Sequence, residues 1–495
     1  MRFSLSVLAI FFFALLLAGC AAWPTPTRSI HEGATGPAGS CAAYFASLDA
    51  QVNRAGVIDG GYARVRHFPY LRVDRFLASF GEEIENDEAL LSWVKRLQSL
   101  DQAARRSEIA NLSDSQAGAV DPTADRATLL HNAEVCGDLL KGVDFRDGDR
   151  REDLIQAAVV PDDYIPLRNV LGLYPITAPF VSRGVARWHV EARERFSVGT
   201  PPDWQSIRYA PSPMPETGLV RMILKRAARD GLGIPIYPQR ELRALFQRFA
   251  PVWEVQQQGR YDRIGSPYWE HDGRIAVDTS QPLVYTRLSF TRFEGDILTQ
   301  LNYIIWFSAR PKTGALDLYG GRLDGLTYRV TLDIDGRPIL YETIHNCGCY
   351  YKAYPTRHLQ VRQTITYKEP PLILNSPDAS DPSEAMVVAV ESRTHYVVHL
   401  YTISRTTAHQ VTYTLAEYGK LLSLPLPGGG RRSMFNPYGI AAGSERLERF
   451  ILWPTGVLSP GAMRQWGRHA VAFVGRRHFD DPFTMDHMFI PTGRR

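Results

Sequence analysis

The stretch LTYRVTLDIDGRPILYETIH, residues 326–345, decides the fold class that the sequence predicts. Apolar and polar residues alternate on both sides of the pair Asp335-Gly336. An Asp-Gly pair between two alternating runs is a strong short-range signal for a β-hairpin. We therefore predict two antiparallel strands joined at Asp335-Gly336.

Similar strand-like runs lie on both sides of this hairpin. They are rich in β-branched and aromatic residues, they are bounded by turn formers, and they occupy residues 282–295, 297–310, 385–404 and 408–419. The final sixty or so residues show no single pattern, although one stretch among them looks partly helical. We therefore predict a β-rich, mainly antiparallel domain over residues 251–495 that includes a mixed C-terminal segment.

The chain before residue 251 has the apolar periodicity of helices instead. Residues 40–56 repeat apolar side chains every four positions, and residues 86–112 carry one apolar stripe. In the second run the acidic residues come early and the arginines late, as the helix dipole favours. The prediction is an α+β protein, in which a mainly helical domain over residues 40–250 precedes the β-rich domain.

The first twenty residues have the three parts of an export signal. Arg2 supplies a positive charge, an apolar run from Phe3 to Leu16 follows, and Leu17-Ala18-Gly19-Cys20 ends the segment. The apolar run is shorter than the roughly 20 residues that span a bilayer. Its ending resembles the lipobox of bacterial lipoprotein precursors.

This resemblance implies that the chain is cleaved before Cys20 and that Cys20 carries the lipid. Residues 1–19 are then a signal peptide, and residues 20–39, rich in Pro, Gly, Thr and Ser, are a flexible tether. Ala21 rather than an aspartate follows the cysteine, which favours the outer membrane in the enterobacterial sorting rule. We expect a protein of the bacterial envelope that faces the periplasm and is held to the membrane by its N-terminal lipid.

Composition and motifs argue against some classes of function but do not identify a reaction. The net charge of +4 over 495 residues is too small to indicate nucleic-acid binding. The chain has no HExxH, no GxSxG and no Walker A motif. Apart from the lipobox, it resembles no family of known activity, so whether the protein is an enzyme stays open.

Cys41 and Cys136 lie on the apolar faces of two predicted helices. In an exported protein they are candidates for a disulfide that closes a loop of nearly 100 residues, a bond worth on the order of 4 kcal/mol. The alternative is a pair of buried thiols that pack as small apolar side chains.

The segment IHNCGCYY, residues 344–351, holds the candidate site. In an extended strand the side chains of His345, Cys347 and Cys349 share one face, and Gly348 permits the curl that would bring them together. An imidazole and two thiolates suit Zn(II) or Cu(I), and His395 or His399, four apart on a predicted strand, could add a fourth ligand.

Two other hypotheses explain the same segment. Cys347 and Cys349 form a small, strained disulfide, structural or active in thiol exchange, or they pack at a strand end in a protein that only binds or scaffolds. A second polar group, from His478 to His487, contains three aspartates; it could form a site for a harder metal ion, but the pattern favours a solvated loop before Asp481-Pro482.

Overall fold

The computed structural model describes residues 28–146, 150–201, 204–212, 220–377, 381, 383–405, 407 and 411–493 and has an α+β fold. The predicted signal peptide and the predicted lipidation site Cys20 lie outside these residues. The predicted tether lies partly within them, and there His31 Nε2 is 2.8 Å from Asp144 Oδ1. None of the helices in the described ranges is long and apolar enough to cross a membrane.

Helices dominate the chain up to residue 249 and reappear as short turns near its end. They are α1 (Pro37–Ala55), α2 (Arg75–Ala78), α3 (Asp87–Asn111), α4 (Asp114–Val120), α5 (Arg126–Asp144), α6 (Arg151–Ala157), α7 (Pro166–Leu171), α8 (Tyr174–Val198), α9 (Val220–Arg226), α10 (Gln239–Phe249), α11 (Arg449–Leu452) and α12 (Thr484–Met488).

Most strands follow residue 250. They are β1 (Ala63–Arg64), β2 (Arg72–Val73), β3 (Ser206–Pro211), β4 (Ala228–Arg229), β5 (Pro235–Ile236), β6 (Val252–Gln256), β7 (Ser266–Trp269), β8 (Ile275–Asp278), β9 (Leu283–Phe293), β10 (Asp296–Arg310), β11 (Gly321–Leu332), β12 (Pro338–His345), β13 (Lys352–Pro355), β14 (Leu359–Val361), β15 (Leu372–Ile373), β16 (Glu384–Val390), β17 (Val397–Ser404), β18 (Val411–Glu417), β19 (Leu424–Pro425), β20 (Arg431–Arg432) and β21 (Phe489–Pro491).

One large sheet runs in the order β15-β13-β12-β11-β10-β9-β18-β3-β6-β16-β17. Six of its neighbouring pairs are antiparallel and four are parallel, so the sheet is mixed. The parallel pairs join segments that are distant in the chain, as parallel pairing requires a crossover. Strand β3 precedes residue 250, yet it pairs with β6 and β18 inside this sheet.

The hairpin predicted at residues 326–345 is present as β11 and β12. Gly336 has a φ of +84°, and the Gly336 N–H donates to Asp333 O at 3.0 Å. The Asp333 side chain accepts from the N–H groups of Asp335 and Arg337 at 2.9 and 2.8 Å. The turn is therefore fixed by its own residues.

The two ends of the sheet approach each other. Lys352 of β13 donates from Nζ to Val397 O of β17 at 2.5 Å. Helix α8 covers this approach, and its Phe196 ring lies 5.7 Å from the Tyr354 ring on β13 and 5.0 Å from the His399 ring on β17. The sheet curls around a core rich in aromatic side chains, of which the largest are Trp253, Tyr303, Tyr328, Tyr354 and Tyr413.

The helices α1 to α6 pack around a separate core. Within it, Cys41 of α1 and Cys136 of α5 form a disulfide, with their Cα atoms 5.0 Å apart. The C-terminal segment covers another part of the sheet through Trp466, Phe479 and Met485. The described residues thus form three parts, namely the N-terminal helices, the sheet and the C-terminal segment.

Candidate functional site

The segment IHNCGCYY forms a tight turn and not a continued strand. Strand β12 ends at His345, whose N–H donates to Cys349 O at 3.0 Å, and the Gly348 N–H donates to His345 O at 2.8 Å. Gly348 has a φ of +94°, which L residues rarely adopt. The strand ends before the cysteines, so the three side chains do not share one strand face, but the curl predicted at Gly348 is present.

His395 and His399 are not strand neighbours either. His395 lies in the turn before β17 with a φ of 52°, whereas His399 lies within β17. The His399 ring stacks with the Tyr401 ring at 5.8 Å. A shared strand face cannot hold both side chains, since only His399 belongs to the strand.

The predicted Zn(II) or Cu(I) site is wrong. Within the described ranges of the chain, no group of three or more His, Cys, Asp or Glu side chains could hold a metal ion. The imidazoles of His345 and His395 face carboxylates, and Cys347 and Cys349 are free thiols buried in the core. The five predicted ligands, His345, Cys347, Cys349, His395 and His399, therefore do not form a coordination shell.

The structure instead builds a buried chain of four side chains, here called the His–Asp cluster: Asp262, His395, Asp324 and His345. His395 Nδ1 lies 2.8 Å from Asp324 Oδ2, and His395 Nε2 lies 3.4 Å from Asp262 Oδ1. His345 Nδ1 is 3.6 Å from the other oxygen of Asp324. The His395 ring stacks on Phe307 with centroids 3.9 Å apart. The cluster therefore connects the turn before β17 to strands β11 and β12.

Neighbouring charges and burial shift the pKa values of this cluster in opposite directions. Burial works to raise the pKa of Asp324, but the two histidines hold it well below its ordinary value. Burial works to lower the pKa of His395, but its contacts with the carboxylates of Asp262 and Asp324 raise it. Burial lowers the pKa of His345 to about 4. His395 therefore lies between two carboxylates, while the buried Nε2 atoms of His395 and His345 have no hydrogen-bond partner among the described residues.

The two cysteines are poor nucleophiles in this environment. Cys347 and Cys349 are 7% and 6% exposed. A hydrogen bond with the Cys347 thiol, followed by burial, raises the pKa of Cys349 well above its ordinary value. Because thiolates and not thiols carry out exchange, this geometry favours a packing role.

Two nearby groups have strongly shifted pKa values. Burial lowers the pKa of Lys352 to about 7 and raises the pKa of Glu448 to about 7. Such shifts are typical of acid–base groups, but structural networks also produce them. The Lys352 ammonium donates to a backbone carbonyl and lies 5.6 Å from the Trp188 ring, beneath α8. Its contacts hold the two ends of the sheet together.

A cavity of about 200 Å³ opens where the three parts of the molecule meet. We call it the Arg287 cavity and define it by Tyr62, Asp74, Arg287, Ser289, Trp466 and Asp480. Its apolar wall includes Phe76, Leu77, Leu100, Ile234 and Phe290. An apolar wall with a few convergent polar groups is typical of a small-molecule binding site.

Arg287 dominates the polar side of this cavity. One Nη of its guanidinium donates to the Tyr62 hydroxyl at 2.6 Å, while its buried Nε has no hydrogen-bond partner. The guanidinium lies over the rings of Tyr62, Tyr418 and Trp466 at 5.5, 5.6 and 5.4 Å. In the part of the chain that the structure describes, no carboxylate lies within salt-bridge distance of it.

The two acids of the cavity are in different states. Asp480 is bound by Arg75, whose Nη1 lies 3.1 Å from Asp480 Oδ2, and this partner outweighs burial and lowers the pKa of Asp480. Asp74 accepts the Leu77 N–H, at 2.8 Å, as the cap of α2. Burial raises the pKa of Asp74, and Asp480 adds to the rise.

Sequence reasoning missed this cavity. Asp480 belongs to the segment that predicts a solvated turn, yet its side chain is only 12% exposed and contacts Arg75. The available signal is Arg287, a charged residue that interrupts the apolar run of β9. Comparisons of the chain with known protein families, with curated proteins and with solved structures give no match.

Proposed function

We propose that the protein is a lipid-anchored lipoprotein of the bacterial envelope, held by Cys20 at the outer membrane and facing the periplasm. Its proposed function is to bind a small molecule in the Arg287 cavity, without catalysis. The ending Leu17-Ala18-Gly19-Cys20 supports the anchor. The Cys41–Cys136 disulfide supports export, because such bonds persist in oxidising compartments.

The observation that carries the binding function is the guanidinium of Arg287, which lies beside an open cavity and has no carboxylate in ion-pair contact among the described residues. Removing a cation from water is costly unless an anion or several hydrogen bonds compensate. The aromatic rings around Arg287 supply part of this compensation, since cations are attracted to ring faces. Because Arg287 lines the cavity, a bound ligand with an anionic acceptor group would supply the counter-charge that the described residues do not place beside it.

The His–Asp cluster and the two thiols then have structural roles. His345 has a carboxylate beside one ring nitrogen and His395 has one beside each of its two, and the chain of contacts lies in the interior. Burial and the raised pKa of Cys349 weigh against thiol exchange.

The binding function is tested by a screen of metabolite-sized compounds with the unfolding temperature as readout. Ser99 is exposed on α3 at the rim of the cavity, so Ser99→Trp should obstruct the cavity and leave the fold intact. Ser182→Trp, on the exposed side of α8, is the matched control. We expect compounds that raise the unfolding temperature of the wild type and of Ser182→Trp but not of Ser99→Trp. Equal shifts in all three proteins, or no shift with any compound, would refute binding in this cavity.

The anchor is tested separately in cells that are fed labelled palmitate. We expect label in the wild type and in Cys349→Ser, no label in Cys20→Ser, and recovery of the labelled protein with outer membranes. Label in the Cys20 variant, or wild-type protein in the cytosol, would contradict the lipid anchor. Neither result would bear on ligand binding in the Arg287 cavity.

A further inference from the structure

The Arg287 cavity contains two groups of opposite charge that no ion pair joins. Arg287 and Asp74 both line it, and each shifts the pKa of the other, but the salt bridges among the described residues do not include this pair. The third charge, Asp480, is already paired with Arg75. Arg96, at another side of the cavity, is paired with Asp230 at 2.6 Å. Two complementary groups, one cationic and one anionic, are thus left to face a ligand.

A ligand with a single anionic group would satisfy Arg287 and leave Asp74 buried beside a second carboxylate. A ligand with two or more negative charges would be repelled by Asp74 and Asp480. A ligand that carries both a carboxylate and an ammonium satisfies both groups and brings no net charge into the cavity. The apolar wall formed by Phe76, Leu77 and Phe290 then contacts the rest of that ligand.

We propose that the Arg287 cavity binds a free zwitterion of the α-amino acid class with an apolar side chain. The ligand carboxylate bonds to the guanidinium of Arg287, and the ligand ammonium bonds to the carboxylate of Asp74. The cavity volume of about 200 Å³ accommodates a molecule of this size. This inference rests on the proposed binding function and specifies its ligand.

The test is calorimetric titration of the full-length protein with three probes of similar shape. L-leucine carries both charged groups, 4-methylpentanoate lacks the ammonium, and 3-methylbutylamine lacks the carboxylate. L-alanine and L-phenylalanine extend the zwitterion series to a smaller and a larger side chain. We expect at least one of the three amino acids to bind, with leucine about tenfold or more tighter than either of its one-charge analogues.

Two variants assign the two ends of the ligand. Arg287→Met should weaken the amino acid and the carboxylate probe by about tenfold or more. Asp74→Asn keeps a side chain that caps α2, so the fold should be retained, but it should remove the preference for the amino acid over the carboxylate. The controls are Arg322→Met, on β11 outside the cavity, and Asp125→Asn, at the cap of α5, and neither should change binding.

The outcomes separate the ligand class from the binding function. Equal affinity for leucine and 4-methylpentanoate, unchanged in Asp74→Asn, would overturn the zwitterion and leave an anion-binding cavity. No binding of any amino acid, together with hits in the broader screen, would also overturn the zwitterion alone. If Arg287→Met unfolds, Arg287→Lys keeps the charge and removes the paired donors, and unchanged affinity in that variant counts against the assignment.

Discussion

At the scale of single residues, the carboxylate of Asp324 shows why the candidate site could be located but not assigned. Sequence patterns drew attention to His345 and His395, and both belong to one buried cluster. Asp324 lies 71 residues before His395 and is one of many acidic residues, so no local pattern marks it as their shared partner. The metal prediction failed because the predicted ligands, although close in sequence, do not converge in the structure. The two histidines contact carboxylates instead, and the two cysteines are buried as free thiols.

The first prediction concerns His345 and pH. The native-state pKa of about 4 lies below the ordinary value of 6.5, so the unfolded chain binds a proton between these values and the native protein does not. The free energy of unfolding should therefore fall as pH drops from about 6.5 to 4, with up to about 3 kcal/mol due to His345. His345→Gln should lose this part of the pH dependence in urea unfolding followed by circular dichroism.

The control for this prediction is His271→Gln, which changes an exposed histidine in the β7–β8 turn. Its unfolding should keep the wild-type slope between pH 4 and 6.5. A His345 variant with the same slope as the wild type would show that His345 takes up its proton equally in both states.

At the scale of elements, the β11–β12 hairpin was predictable and the turn after it was not. The Asp335-Gly336 turn is fixed by Asp333, which lies within the same few residues. The turn at residues 345–349 is fixed partly by a distant contact, because Gly348 packs against the backbone of Ala470. The mixed pairing of the sheet was missed for the same reason, since β3 and β18 are about 200 residues apart in the chain but adjacent in the sheet.

The second prediction tests the Gly348 turn. A Cβ at this position would lie 2.4 Å from Ala470 O, and the φ of +94° is unfavourable for L residues. Gly273 has a similar φ of +76° but nothing within 4 Å of a built Cβ. In urea unfolding, Gly273→Ala should cost roughly 1–2 kcal/mol and Gly348→Ala about 3 kcal/mol or more. Equal losses would mean that the contact with Ala470 is unimportant.

The third prediction concerns the bond between α1 and α5. The disulfide joins residues 95 positions apart, so in the chain-entropy model its loss costs on the order of 4 kcal/mol. The Cys41→Ala/Cys136→Ala double variant should lose about this much in urea unfolding. Dithiothreitol should bring the wild type to the level of the variant and leave the variant unchanged. If dithiothreitol left the urea midpoint of the wild type unchanged, the disulfide would not contribute to its stability.

At the scale of the whole molecule, the Arg287 cavity is a property of assembly. It is lined by residues from α2 and α3, from β9 and β10, and from the C-terminal segment, which lie as far apart in the chain as Tyr62 and Asp480. Local periodicity predicts helical and strand-rich regions, but it does not predict which distant loops contact each other. The C-terminal segment bonds to both other parts, since Gln465 donates to Asp59 and Arg464 donates to Cys347 O.

Arg75 gives the last prediction, because it binds the N-terminal helices to the C-terminal segment. Its guanidinium contacts Asp163 at 2.9 Å, Asp480 at 3.1 Å and Gly467 O at 2.8 Å. Arg75→Met leaves two buried carboxylates without this partner and should cost about 3 kcal/mol. Arg151→Met breaks an exposed ion pair with Asp87 inside the helical part and should cost less than about 1 kcal/mol. Because Asp480 also lines the cavity, Arg75→Met should weaken ligand binding as well, whereas Arg151→Met should not. Equal effects of the two variants on stability and binding would show that the three parts do not depend on Arg75 for their assembly.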